Sequence, residues 1–130
     1  MGYKTTKKHF SVFMEEAGFW INFFGLHQWD ISFFHDIPIE ADSVLACCIA
    51  DSDAMQCSLM LNPFWSDKPT VENIRAAAFH EVCENLLGKT DSLAKARYVT
   101  VDEINSERHS VISILYNSVY RKCRPLLSKS

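Results

Sequence analysis

The chain is 130 residues long, 48 % hydrophobic and 22 % charged, with a formal net charge of −3. That composition suits one domain over residues 1–130 with a single core and excludes a disordered chain; the acidic balance carries no electrostatic footprint for nucleic acid. Basic residues gather only towards the two ends (Lys4, Lys7, Lys8 and Arg121, Lys122, Arg124), where they are expected to be solvated.

Five cysteines (Cys47, Cys48, Cys57, Cys83, Cys123) form neither a regular disulfide framework nor a CxxC pair. With no signal peptide and no apolar run near the roughly 20 residues that span a bilayer, the expectation is a reduced, cytoplasmic protein without membrane contact. Met1-Gly2-Tyr3-Lys4-Thr5-Thr6 fits the short myristoylation pattern, which matches often by chance.

In chain order, residues 5–26 read as an amphipathic helix. Phe10, Phe13, Met14, Ala17, Trp20, Ile21 and Phe24 recur at three and four, and Gly25 is the stop signal. His9 is expected on its solvent side and His27 in the following turn. Trp29-Asp30-Ile31-Ser32-Phe33 alternates apolar and polar as a strand does, and Asp36-Ile37-Pro38 ends it. Residues 43–50, from Ser43 to Ala50, read as a short buried strand, and Asp51-Ser52-Asp53 as a turn, since the rest of a calcium loop is missing. Met55 to Asn62 alternates again until Pro63. Three short strands with turn-length links predict an antiparallel meander.

Thr70 is the N-cap of a helix running to Gly88, placed at the C′ position. A short helical piece, Asp91 to Tyr98, follows. Thr100-Val101-Asp102-Glu103 reads as a capping box that assigns Glu103 to its own helix start. The closing helix, about Asp102 to Arg121, presents Ile104, Val111, Leu115 and Val119 as its buried face, and Pro125 ends it. The expected architecture is therefore α+β: an N-terminal helix, a small mainly antiparallel sheet of about three strands, a motif helix and a C-terminal helix.

The chemistry sits in His80-Glu81-Val82-Cys83-Glu84. His80 and Glu84 are four apart, so they meet one helical turn apart, and the surrounding helix is too apolar to be a solvated face. Two ligands at that spacing, with a glutamate after the first, is the HExxH arrangement of zinc hydrolases, here an HExxE variant; carboxylate oxygen is a legitimate zinc ligand. Glu81 then stands where it takes a proton from metal-bound water. Catalytic zinc wants a third protein ligand. His109 restores two histidines and one carboxylate, whereas Glu107 lies beside Ile104 and Val111 on the edge of the buried stripe and is the alternative third ligand or an outer partner. Cys83 points away from this face, and adjacent Cys47 and Cys48 cannot both face one site. Tyr98 or Tyr116 would be oxyanion donors, with nothing selecting either, and no local motif supports Ser/His/Asp or Cys/His catalysis.

These features resemble the zincin metallopeptidases of the gluzincin type, and more closely small phage-encoded proteins described as metallopeptidases. The matching parts are the N-terminal helix, the Trp29-Asp30-Ile31 and Leu59-Met60-Leu61-Asn62 strands, the Ala78 to Leu87 helix and His109-Ser110-Val111-Ile112. The resemblance implies a Zn²⁺-dependent peptidase with His80 and Glu84 as ligands, a third from the Glu107/His109 neighbourhood, and Glu81 as general base. It also implies an edge strand, matched by Met55 to Asn62, that pairs with extended peptide substrate, and a host-cytoplasm location. The departure from the family pattern is Glu84 in place of histidine. The alternative is a catalytically inactive zincin-fold binding or assembly module, with His80, Glu81 and Glu84 satisfied internally.

Overall fold

A computed structural model describes residues 2–38 and 44–127. Thr6 opens the first helix, α1 (Lys7–Phe24). Its hydroxyl accepts the His9 amide at 3.1 Å, and His9 Nδ1 accepts the Thr6 amide at 3.0 Å, so an imidazole fills the role that glutamate usually plays in a capping box. Gly25, at φ +70°, closes the helix in the left-handed region that glycine enters without steric cost. A two-residue strand, β1 (Tyr3–Lys4), precedes α1 and pairs antiparallel with β5 (Phe64–Trp65); neither is long enough to show periodicity.

Three strands form the main sheet: β2 (Asp30–Phe34), β3 (Ala46–Asp51) and β4 (Gln56–Leu61). β4 lies in the middle, antiparallel to β3 and parallel to β2, so the expected meander is replaced by a mixed sheet in which two of the three strand pairings of the fold are antiparallel. Alternation identifies strands but not neighbours. The strand with three buried side chains, Cys57, Leu59 and Leu61, takes the centre, and the half-buried β3 becomes an edge. Ser43, the expected start of β3, lies outside the described residues, as does Met1 of the myristoylation pattern. Asp51 Oδ1 accepts the amides of Asp53 and Ala54 at 3.1 and 3.2 Å, which makes this segment the expected turn.

Thr70 caps α2 (Val71–Leu86), its hydroxyl accepting the Asn73 amide at 3.1 Å. The core lies between α1, α2 and one face of the sheet: Phe13 and Ala17 meet Ile74, Ala78 and Val82 over Leu59 and Leu61. Phe79 leaves this core for the aromatic cluster on α1, 4.8 Å from the Trp20 ring.

Gly88 does not stop α2 in a left-handed turn; it opens α3 (Gly88–Lys95), which starts earlier and ends earlier than the expected Asp91–Tyr98 piece. What requires glycine there is space. A Cβ on Gly88 would sit 3.2 Å from the Ala50 Cβ and 3.5 Å from the Trp29 ring.

Thr100 caps α4 (Val101–Leu115), its hydroxyl accepting the Glu103 amide at 3.1 Å and donating to Glu103 Oε1 at 3.2 Å. A π turn (Tyr116–Tyr120) and α5 (Arg121–Leu127) continue the same rod, with Pro125 inside α5 rather than after it. The expected buried face is also corrected: Ile104, Leu115 and Val119 are exposed and Val111 is half-buried. Glu107 and Ser118 are the buried residues instead, because α4 packs on α3 and the π turn on α1. No helix among the described residues is long and apolar enough to cross a membrane.

Candidate metal and peptide cleft

The edge strand and the motif helix enclose a cleft of about 620 Å³. Val44 to Cys48 form one wall and Asn73, Ala77, His80, Glu81 and Glu84 the other. The strand beside the motif helix is thus β3, not the expected Met55–Asn62 strand, which is central. A central strand has both edges paired, whereas β3 keeps one edge free of strand partners among the described residues.

On α2, Ile74, Ala78, Val82 and Asn85 point into the core, and His80 and Glu84 point to the opposite rim of the cleft. His80 Nε2 and Glu84 Oε1 face each other at 3.3 Å. That separation is both that of a direct imidazole–carboxylate contact one turn apart and roughly that of two donors about 2.0–2.2 Å from one tetrahedral zinc. The pair is more exposed than the apolar surroundings implied, at 71 % and 57 % of the side chains. The apolar residues of this helix are spent on the α1 side, which leaves the His80/Glu84 side open.

Glu81 lies between the two faces and is buried, with 5 % exposure. Burial raises its carboxyl to about 7; His80 opposes the shift and Glu84 adds to it. Across the cleft, burial together with Glu81 and Glu84 pushes the Cys47 thiol up, and a hydrogen bond to Cys57, with Sγ atoms 3.5 Å apart, pushes up that of Cys48. Both cysteines border the cleft because it runs along the strand's edge rather than across one face. Held as thiols, they are poor nucleophiles and poor metal donors at neutral pH. Cys83 is half-buried on the other side of the helix.

The structure does not bring the expected third ligand to this pair. Glu107 is buried against α3, accepting the Thr90 hydroxyl at 3.3 Å with Lys89 Nζ at 4.0 Å, and His109 is exposed further along α4; neither lines the cleft. Among the described residues no group of three or more His, Cys, Asp or Glu side chains is gathered to hold a metal ion. The cleft therefore holds an imidazole–carboxylate pair with a buried carboxyl beside it, and no third donor among the described residues.

One polar residue of this helix escaped the sequence reading. Asn85 is fully buried, and neither its Oδ1 nor its Nδ2 has a hydrogen-bond partner among the described residues. It lies four residues after Glu81, so the same spacing rule that paired His80 with Glu84 would have found it.

Compared with models of known protein families, with characterised sequences and with solved structures, the chain has no match.

Proposed function

We propose that the β3–α2 cleft is the site of a zinc-dependent hydrolase acting on extended peptide, as the zincin resemblance implies. The observation that carries this reading is the placement of the His80/Glu84 pair, 3.3 Å apart, beside buried Glu81 and an open strand edge. His80 and Glu84 would hold the cation. When bound, zinc supplies a Lewis acid for the carbonyl and acidifies water. Glu81, next in sequence and facing the same cleft, takes the proton from the attacking water and returns it to the leaving amine. The edge of β3 donates and accepts main-chain hydrogen bonds along an extended substrate, and the exposed side chains of Val44 and Leu45 give that wall apolar contact.

A second reading, a peptide-binding or assembly module without catalysis, is favoured by the separation of Glu107 and His109 from the pair. Hydrolysis of a fluorogenic peptide library by zinc-loaded protein separates the two. Cleavage that disappears in Glu81→Gln, with zinc content unchanged, supports the hydrolase. Library peptides bound but never cleaved by wild type support the module.

A further inference from the structure

We propose that the exposed face of the α4–π–α5 rod is an interface with a second copy of this chain, the two rods packing antiparallel about a two-fold axis near Ile112 and Ser113. Ile104, Ile112, Leu115, Tyr116, Val119 and Tyr120 are all 40–54 % exposed along one side of the rod, and Val101 and Leu126 extend the stripe at its ends. Twenty-seven residues at 1.5 Å per residue make a rod about 40 Å long. With exposed Arg108 standing between Ile104 and Ile112 on the same face, these apolar side chains together expose on the order of 800 Å², comparable to what each partner buries in a standard-size interface.

Charge placement selects the occupant. Asp102 and Glu103 stand at the start of the rod and Arg121 and Arg124 at its end, so a parallel pair would put like charges together. An antiparallel pair brings the acidic end of each copy against the basic end of the other, which is the self-complementarity a two-fold interface requires. Shape agrees. Between α3 and α4 an apolar groove of about 700 Å³, walled by Leu93, Val99, Ile104, Val111 and Ile112, carries buried Glu107 on its side. The stacked pair Tyr116 and Tyr120, ring centres 5.2 Å apart, stands two turns along the rod. In the antiparallel pair the partner's Tyr116 and the partner's Tyr120 fall opposite residues 109 and 105, each one position along the helix from a groove residue, Arg108 and Ile104. There they supply amphipathic anchors of the kind that dominate interfaces. Lys122 is turned the other way, donating to the Phe23 carbonyl at 2.5 Å, which keeps the rod's opposite side on α1.

Sedimentation equilibrium of the full chain in reductant tests this. The expected result is a dimer with a dissociation constant in the micromolar range, weakened at least roughly 100-fold in Ile112→Asp, where two carboxylates would meet unpaired at the axis. Ile112 is 51 % exposed in the single chain, so the variant keeps the wild-type circular dichroism and, at concentrations below the dimer dissociation constant, the wild-type melting curve. Asp102→Arg weakens association roughly 10-fold, and adding Arg124→Asp restores it. A monomer up to roughly 200 µM, a dimer indifferent to Ile112→Asp, or a double swap that fails to restore association would overturn the proposal.

Discussion

Glu81 and Asn85 stand one helical turn apart on α2, a buried carboxyl at the floor of the cleft raised to about 7 and, one turn on, a fully buried carboxamide with no hydrogen-bond partner among the described residues. Two buried polar groups one turn apart, the second without a hydrogen-bond partner among the described residues, make this part of the helix expensive to fold.

The cost of Glu81 is readable as a pH dependence in metal-free protein. The folded-state value is raised from 4.5 to about 7, so the folded protein binds the extra proton. The stability linked to that proton is fully present below pH 4.5 and is lost as pH rises through 7. Glu81→Gln is therefore expected to be more stable than wild type at pH 8 by about 2–3 kcal/mol, with the gap closing as the pH falls to 4.5. Urea titrations in EDTA across this range check it; a gap independent of pH contradicts it.

Asn85→Leu removes two unsatisfied polar atoms while nearly preserving volume. Stability should rise by about 1–2 kcal/mol in chemical unfolding. A loss of stability would mean that the carboxamide has a partner, such as a bound water, that the substitution strands.

His35 gives the opposite pH signature. Its Nε2 meets the Thr5 hydroxyl at 2.8 Å and its ring stacks on Phe10 with centres 4.9 Å apart. Burial lowers its pKa, with Asp36 opposing. The neutral ring is the folded form, so its contribution is present above pH 6.5 and is lost as pH falls through the lowered folded value. The stability difference between wild type and His35→Gln should narrow as pH drops below 6.5, measured by thermal melts in matched buffers.

Gly88→Ala tests packing against propensity. Alanine gains up to about 1 kcal/mol inside a helix, but its Cβ would press on Ala50 and Trp29. Because Ala50 has no side-chain freedom with which to yield, a net loss of about 1 kcal/mol is expected, seen as a lowered denaturation midpoint.

What the sequence made legible is what a few neighbouring residues decide. The caps at Thr70 and Thr100, the stop at Gly25 and the meeting of His80 with Glu84 all follow from spacings of four or fewer, whereas the Thr6 cap, closed by His9 in place of a glutamate, was not read. The α+β class followed from periodicity. Strand order did not, because alternation is the same for a centre and an edge. Ligand balance, which points to His109, and the stripe edge, which points to Glu107, say nothing of what the closing helix packs on; α4 packs on α3 and carries Glu107 there. Its apolar positions were read as core because periodicity marks a face without naming what covers it. Asn85 lies within reach of the same four-residue spacing, counted from Glu81, but its full burial without a hydrogen-bond partner among the described residues was not legible, because no local pattern marks it.

The central claim is that His80 and Glu84 hold a cation beside Glu81. Its most direct test is zinc per chain, by elemental analysis of protein purified without a polyhistidine tag and equilibrated with zinc, for wild type, His80→Ala, Glu84→Ala and Glu81→Gln. The account predicts about one zinc per chain in wild type and Glu81→Gln, and loss of it in the other two. Wild-type protein that retains no zinc, or His80→Ala and Glu84→Ala that retain all of it, would contradict the account.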